Sequence, residues 1–185
     1  MTNGESSYRR YLDGDDEGIV ELIRDYKDGL TFYINSIVNN YGLAEELMQD
    51  TFTKLAIKKP HFFGRSNFKT WLYAIGRNLA YDHIRRSKRM GSVPLDEVDN
   101  YIDTTEGVEA EYLQTEKKLE VRRAMDKLGK DYVQALWLVY FENFSYREAA
   151  RIMRKTDKQF DNLIYRAKKS LKSELEKEGI FYEGL

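Results

Sequence analysis

Cations and aromatic rings alternate along residues 62–86, a pattern suited to binding chemistry without any catalytic group. Aromatic faces stack on unpaired nucleic-acid bases, at about 1–3 kcal/mol per base, while cations hold the phosphate backbone. The surrounding block, residues 54–90, carries 10 Lys and Arg against 1 acidic residue. This composition is typical of a surface that binds single-stranded DNA. Its members are Phe62, Phe63, Arg65, Phe68, Lys69, Trp71, Tyr73, Arg77, Tyr81, Arg85 and Arg86.

Part of this stripe has an equally good structural explanation. Phe68, Trp71 and Leu72 recur at helical spacing, which also predicts a buried helix face. The segment that follows Pro60 predicts a loop, where exposure and ligand contact are favoured. The loop residues expected to be exposed are Phe62, Phe63 and Arg65.

Four polar residues lie on one predicted helix face just upstream: Glu45, Glu46, Gln49 and Asp50. Apolar Leu47 and Phe52 fall on the opposite face of that helix. Two interpretations stay open, a solvated acidic face or a docking surface for a basic protein partner.

The segment 143–171 predicts two short helices separated by a tight break. Ser145 and Thr156 can cap their N-termini, because a hydroxyl oxygen accepts a hydrogen bond from an unpaired helix N–H. Such a helix-turn-helix places its second helix in the major groove, where Gln or Asn pairs with adenine and Arg or Lys with guanine. The predicted exposed face of the second helix presents Lys158, Gln159, Asn162, Arg166 and Lys169.

A plain amphipathic helix pair packed on its own domain is the competing interpretation of this segment. Arg154 occupies the turn where helix-turn-helix motifs commonly have glycine. Asp157 and Asp161 also bring negative charge to a face that would meet phosphates. Asp157 could instead help cap the helix N-terminus through the helix dipole.

Helical periodicity and few chain breakers indicate how these residues are positioned. The only two prolines, Pro60 and Pro94, stand where helical patterns stop, and no strand-like alternation persists. Residues 96–111 are acidic with few large apolar groups, which is typical of a linker. The economical interpretation is an all-α fold, two small helical domains joined by an acidic linker.

Composition excludes several classes of site. The chain has no cysteine and two histidines, His61 and His83, which excludes disulfides, thiolate zinc sites and histidine-rich metal cages. The longest apolar run, 135–141, is far shorter than the roughly 20 residues of a membrane span. The polar start of the chain lacks a signal-peptide pattern, so a cytoplasmic protein with no membrane partner is expected.

The net charge of −1 is a cancellation between segments. Counting Lys and Arg against Asp and Glu gives −7 for residues 1–53, +9 for 54–90, −7 for 91–120 and +4 for 121–185. Blocks of one sign indicate separate partner surfaces, and the +9 block suggests a polyanion.

Two stretches resemble one known family. The segment 44–89 resembles region two of bacterial sigma factors of the sigma-70 family, and 144–172 looks like region four. No region three is recognisable, and in this the chain resembles the small extracytoplasmic-function (ECF) type. The resemblance implies region two at 8–90, an acidic linker at 91–111 and region four, with its helix-turn-helix, at 112–178.

Roles follow from that resemblance. The acidic face would dock the β′ clamp of core RNA polymerase, and region four the β flap. The loop, with Phe62, Phe63 and Asn67, would capture a flipped base of the minus-ten element, and the helix from Lys69 to Arg86 would hold the opened strand. The polar face at 158–169 would read the duplex minus-thirty-five element. No cofactor, metal or catalysis is implied, and an anti-sigma factor is a conceivable partner.

Two alternatives compete with this interpretation. A helix-turn-helix regulator acting without polymerase would explain the second motif but neither the acidic face nor the aromatic stripe. An all-α metal phosphohydrolase would use Glu45, Glu46 and Asp50 with His61 or His83, but the supply of ligands is poor.

Overall fold

The computed structural model describes residues 3–91 and 116–180, and every regular element in those two ranges is helical. The all-α prediction is therefore confirmed. The chain divides into two compact units, Met1–Asn100 and Tyr101–Leu185. The predicted linker, apart from Gly91, lies outside the described residues, so its boundaries stay a prediction.

The first unit is a four-helix assembly: α1 Asn3–Leu12, α2 Glu17–Val38, α3 Tyr41–Lys58 and α4 Phe68–Arg89. Helix α2 packs against α1, α3 and α4, so it forms the centre of the unit. Its apolar residues recur at helical spacing and bury the stripe that the other helices cover. The largest buried side chains include Leu22, Leu30, Tyr33, Leu55 and Leu72.

Short polar residues begin and end these helices. Asn40 accepts a hydrogen bond from the Leu43 N–H at 3.0 Å and begins α3. Asn67 accepts one from the Thr70 N–H at 2.7 Å and begins α4. Lys59 ends α3 in the left-handed region, with φ +42°. The connection between Lys59 and Asn67 is the aromatic loop, residues 59–67.

The second unit contains α5 Glu116–Met125, α6 Lys130–Leu136, a π-helical turn Trp137–Phe141, α7 Tyr146–Ile152 and α8 Asp157–Lys177. Helix α8 packs against α5, α6 and α7. The apolar stripe of α8 is buried at Phe160, Ile164, Ala167 and Leu171. In both described ranges, no helix is long and apolar enough to cross a lipid bilayer.

Candidate nucleic-acid interface

Phe63 stands out from the aromatic loop, with 72% of the residue exposed. The ring of His61 meets it edge-on, with 4.4 Å between centroids, and the Arg65 guanidinium lies 5.7 Å from its centroid. An exposed ring with a cation beside it can stack on a base and hold the adjoining phosphate. His61 belongs to this cluster although the sequence patterns did not single it out for DNA contact.

Phe62 differs from its neighbour. Its ring is half-buried, at 5.2 Å from Trp71 and 5.8 Å from Phe68 between centroids. The expectation that Phe62 is exposed like Phe63 is therefore wrong in part, because three rings share one apolar cluster. Phe68 is fully buried, and Trp71 is half-buried.

Tyr73 requires a correction. The sequence grouped it with the DNA-binding residues, but its side chain is fully buried and stacks on Tyr33 at 5.5 Å between centroids. Position 73 falls on the arc of α4 that also carries Leu72 and Gly76, and this arc faces the other helices. The side chain therefore packs in the core and does not reach a ligand at the surface.

The cations of α4 reach the surface in different ways. Lys69 and Arg77 are half-buried, the first with its ammonium 5.5 Å from the Tyr73 centroid and the second with its guanidinium 4.3 Å from that of Tyr81. Arg85 and Arg86 are exposed in the last turns, and Arg85 pairs with Asp82. The last turns of α4 therefore form an exposed basic end, and Lys69 and Arg77 lie against tyrosine rings earlier in the helix.

Helix α3 gathers the four predicted docking residues on one exposed face. Glu45, Glu46, Gln49 and Asp50 are all exposed. The residues buried on the other side are Ala44, Leu47, Thr51, Phe52 and Leu55. The carboxylates are exposed and do not pack in the core, so the face is available to a cationic partner.

Helix α8 exposes all five residues predicted to read duplex DNA: Lys158, Gln159, Asn162, Arg166 and Lys169. Thr156 and Gln159 form a capping box in which the Gln159 side-chain carbonyl accepts the Thr156 N–H at 2.9 Å. This oxygen is therefore already engaged at the helix N-terminus.

The tight turn before α8 carries an arginine in a backbone conformation that favours glycine. Arg154 has φ +54°, in the left-handed region where glycine is favoured. The turn thus has the backbone geometry of a glycine turn although the residue is arginine.

Two aromatic residues at this surface were missed from the sequence. Tyr165 is 69% exposed and lies one turn from Asn162 and Lys169, at the edge of the polar face. Its spacing from Lys158 was the available signal. Tyr140, in the π-helical turn, hydrogen-bonds Lys168 and so raises the pKa of that ammonium, which keeps its charge beside the face.

Family models match both units. The model described as Sigma-70 region 2 matches residues 22–90, and the model described as Sigma-70, region 4 matches 118–171. The chain belongs to the sigma-70 family. The predicted recognition is therefore confirmed, and the relatives indicate the ECF type.

Relatives and solved structures agree with this assignment. The chain is 28% identical to the ECF RNA polymerase sigma factor SigM of Bacillus subtilis, over 84% of this chain and 93% of the relative. It is 27% identical to the sigma factor YlaC of the same organism, over 87% and 94%. In fold it is similar to CnrH in complex with the cytosolic domain of CnrY, with a TM-score of 0.63, 20% identity and coverage of 94% and 97%. It is also similar to RpoE in complex with the anti-sigma factor NepR from Bartonella quintana, with a TM-score of 0.63, 24% identity and coverage of 84% and 95%.

A sigma factor is the promoter-specificity subunit of RNA polymerase, and this chain binds core polymerase and promoter DNA in that role. A helix-turn-helix regulator without polymerase is not favoured, because the region 2 match covers residues 22–90, most of the first unit. Within 3–91 and 116–180, no group of three or more His, Asp or Glu is placed to hold a metal ion, so the structure gives the phosphohydrolase alternative no support.

Proposed function

We propose that this sigma factor divides its work among three surfaces: the acidic face of α3, the aromatic loop with the basic end of α4, and the polar face of α8. In this proposal the first docks core polymerase, the second captures and holds the opened minus-ten strand, and the third reads the minus-thirty-five duplex. The chain has no catalysis of its own and works in the cytoplasm, where it acts on polymerase.

The exposure of Phe63 is the observation that carries the proposal. A large aromatic ring in water costs hydrophobic free energy, and neighbouring Phe62 avoids that cost by packing on Trp71. Phe63 instead projects beside His61 and Arg65, an arrangement that suits stacking on an unpaired base.

The acidic face of α3 supports polymerase docking. Four polar side chains on one exposed arc favour a basic partner, and complementary charge both steers the encounter and sets the register. The β′ clamp is the partner surface we propose for it, and the β flap is proposed for the second unit. An anti-sigma factor, which accompanies RpoE in its solved structure, is a proposed partner as well.

The exposed residues of α8 support reading of duplex DNA. Asn162 and Arg166 have the side-chain chemistry that pairs with adenine and guanine edges, and Lys158 and Lys169 suit phosphates. Gln159 contributes through its amide nitrogen, because its oxygen caps the helix.

Promoter opening by reconstituted holoenzyme tests the proposal. Phe63→Ala should slow opening about 10- to 100-fold, the equivalent of losing one base stack, while leaving binding to a minus-thirty-five duplex unchanged. Val20→Ala, at a 52% exposed aliphatic residue of α2, is the matched control and should open normally. Opening by Phe63→Ala at the wild-type rate would overturn the assignment of the loop. Failure of the wild-type chain to direct run-off transcription from any promoter of a library would overturn the whole division of work.

A further inference from the structure

Helix α1 contacts the point where the chain leaves α3 and begins the aromatic loop. The Tyr8 hydroxyl donates a hydrogen bond to the Pro60 carbonyl at 2.7 Å. The Tyr11 hydroxyl donates one to the Ala56 carbonyl at 2.8 Å. The two acceptors stand on either side of Lys59, the left-handed residue that reverses the chain.

The Ala56 carbonyl, near the end of α3, needs a partner from outside that helix, and the Pro60 carbonyl lies beyond the helix end. The last carbonyls of a helix have no intrahelical donor, and a proline after the helix cannot extend its ladder. The two tyrosines of α1 supply the missing donors, and the Lys59 ammonium lies 4.7 Å from the Tyr11 centroid. The chain reversal is therefore held by side chains about 45 to 52 residues earlier in the sequence.

The same Tyr8 side chain also contacts the far end of the loop. Its ring is buried at 5.4 Å from Phe68, the first residue of α4, and 5.5 Å from Trp71, between centroids. Burial raises the pKa of Tyr8 to about 12, so the hydroxyl stays a proton donor throughout the physiological range. One side chain thus touches both ends of the segment that carries Phe63.

Helix α1 is itself fixed to α2. The Ser7 hydroxyl donates to Glu21 at 2.6 Å, and Arg10 pairs with the same carboxylate at 2.9 Å. A Cβ at Gly18 would lie 2.2 Å from the Ser7 carbonyl oxygen, so the two backbones approach as closely as glycine allows. The region 2 match begins at residue 22, which leaves α1 outside it.

We propose that Tyr8 is a positioning residue for promoter opening, which holds both ends of the aromatic loop so that Phe63 is presented ready to receive a base. The inference rests on the proposed function of the loop. An ordered loop does not have to lose conformational freedom when the base arrives. Promoter opening is therefore faster when Tyr8 holds the loop than when it does not.

Tyr8→Phe is the informative variant, since it keeps the ring and removes only the hydroxyl. Holoenzyme made with it should bind core polymerase and closed promoter as the wild type does. Its rate of strand opening, followed by 2-aminopurine fluorescence in the minus-ten element, should fall about 3- to 10-fold, the value of one hydrogen bond. If Tyr8→Phe opens promoters at the wild-type rate while Phe63→Ala is slow, the positioning role of Tyr8 is overturned and the proposed function of the loop is retained. A wild-type rate for Phe63→Ala overturns the proposed function of the loop.

Two comparisons separate positioning from general destabilisation. Tyr26→Phe removes a hydroxyl that accepts the Gly4 N–H of α1 and keeps the ring, which lies 6.1 Å from Phe68 between centroids. It should open promoters at the wild-type rate, and slowing equal to that of Tyr8→Phe would overturn the proposal. The double variant Tyr8→Phe/Phe63→Ala should open no more slowly than Phe63→Ala alone, because Tyr8 acts through Phe63. Fully multiplicative losses would mean that Tyr8 acts elsewhere.

Discussion

Neighbouring residues of the aromatic loop and α4 have opposite environments. Phe63 is exposed beside Arg65, whereas Phe62 packs on Trp71 and Tyr73 is fully buried. Each aromatic ring can either stabilise the core or bind a base, and a ring committed to the core is not available for stacking. Phe63 is therefore the aromatic residue of the loop on which we place base capture.

Asn162 and Arg166 are expected to carry the reading of the upstream duplex. Replacing either with alanine should cost about 1–3 kcal/mol of discrimination between the preferred and a substituted minus-thirty-five sequence, because bidentate base contacts are lost. Lys169→Ala, the phosphate control, should weaken all sequences alike and lower the salt slope by about 1. Competition binding of holoenzyme to a duplex library measures both. Equal weakening across all sequences by Asn162→Ala would contradict a base contact.

Glu21 makes the junction between α1 and α2 sensitive to acid. The hydrogen bond from Ser7, followed by that from Arg10, holds the pKa of Glu21 below its ordinary value of 4.5. A lowered folded pKa contributes stability above the unfolded pKa and loses it as pH falls through the folded value. Glu21→Gln should therefore have a lower melting temperature than the wild type at pH 7. The difference between the two melting temperatures should disappear as the pH falls below about 4.5. Thermal melts across pH 3–7 test this, and a gap that is constant with pH would contradict it.

At the scale of elements, short polar caps and left-handed residues fix where the helices begin and end. Ser145 and Thr156 each form a capping box with the residue three positions on, Glu148 and Gln159. Helix α6 continues as a π-helical turn from Trp137, where the Glu142 N–H donates to the Trp137 carbonyl at 3.1 Å. Local caps were readable in advance, whereas the π-helical turn was not.

Arg154→Gly should stabilise the second unit. A residue with a Cβ in the left-handed region costs about 1–2 kcal/mol, and glycine returns part of that as unfolded-state entropy. We expect a net gain of about 0.5–1 kcal/mol in the free energy of unfolding, measured by urea denaturation with the buried Trp137 as the fluorescent probe. Arg147→Gly, on α7, is the matched control and should destabilise. A loss of stability in Arg154→Gly would show that the arginine side chain makes a contact worth more than the strain.

At the scale of the whole molecule, alternating charge explains why a DNA-binding subunit has a net charge of −1. Residues 54–90 carry +9 and residues 144–172 carry +6, from 9 Lys and Arg against 3 Asp and Glu. The acidic segments 1–53 and 91–120 each carry −7 and repel phosphate. Free chain is therefore expected to bind promoter DNA weakly, and docking on polymerase supplies the avidity that presents both basic surfaces together.

Replacing the acidic residues of the predicted linker with serine should alter initiation and tighten DNA binding by the free chain. The positions are Asp96, Glu97, Asp99, Asp103, Glu106, Glu109 and Glu111. Repulsion over about 10 Å is screened near 0.1 M salt, so the gain in affinity should fade as salt rises. Serine at Glu17, Asp25 and Asp28 of α2, compared with a linker variant that also loses three acidic residues, controls for net charge and should leave initiation unchanged. Unaltered initiation by the linker variant would contradict a role for its charge.

The amino-acid sequence by itself determined the all-α fold class, the acidic face of α3 and the exposed set on α8, because each depends on 3.6-residue periodicity and caps within one segment. It could not decide which of Phe62, Phe63, Trp71 and Tyr73 is buried, since neither a predicted loop nor helical periodicity says which other elements cover a ring. Only the tertiary structure decided that, by bringing Tyr8 of α1 against Phe68 and Trp71 and its hydroxyl to Pro60, 52 residues along the chain. Contacts over such separations depend on the packing of whole helices, and for that reason the anchoring of the aromatic loop was invisible in the local pattern.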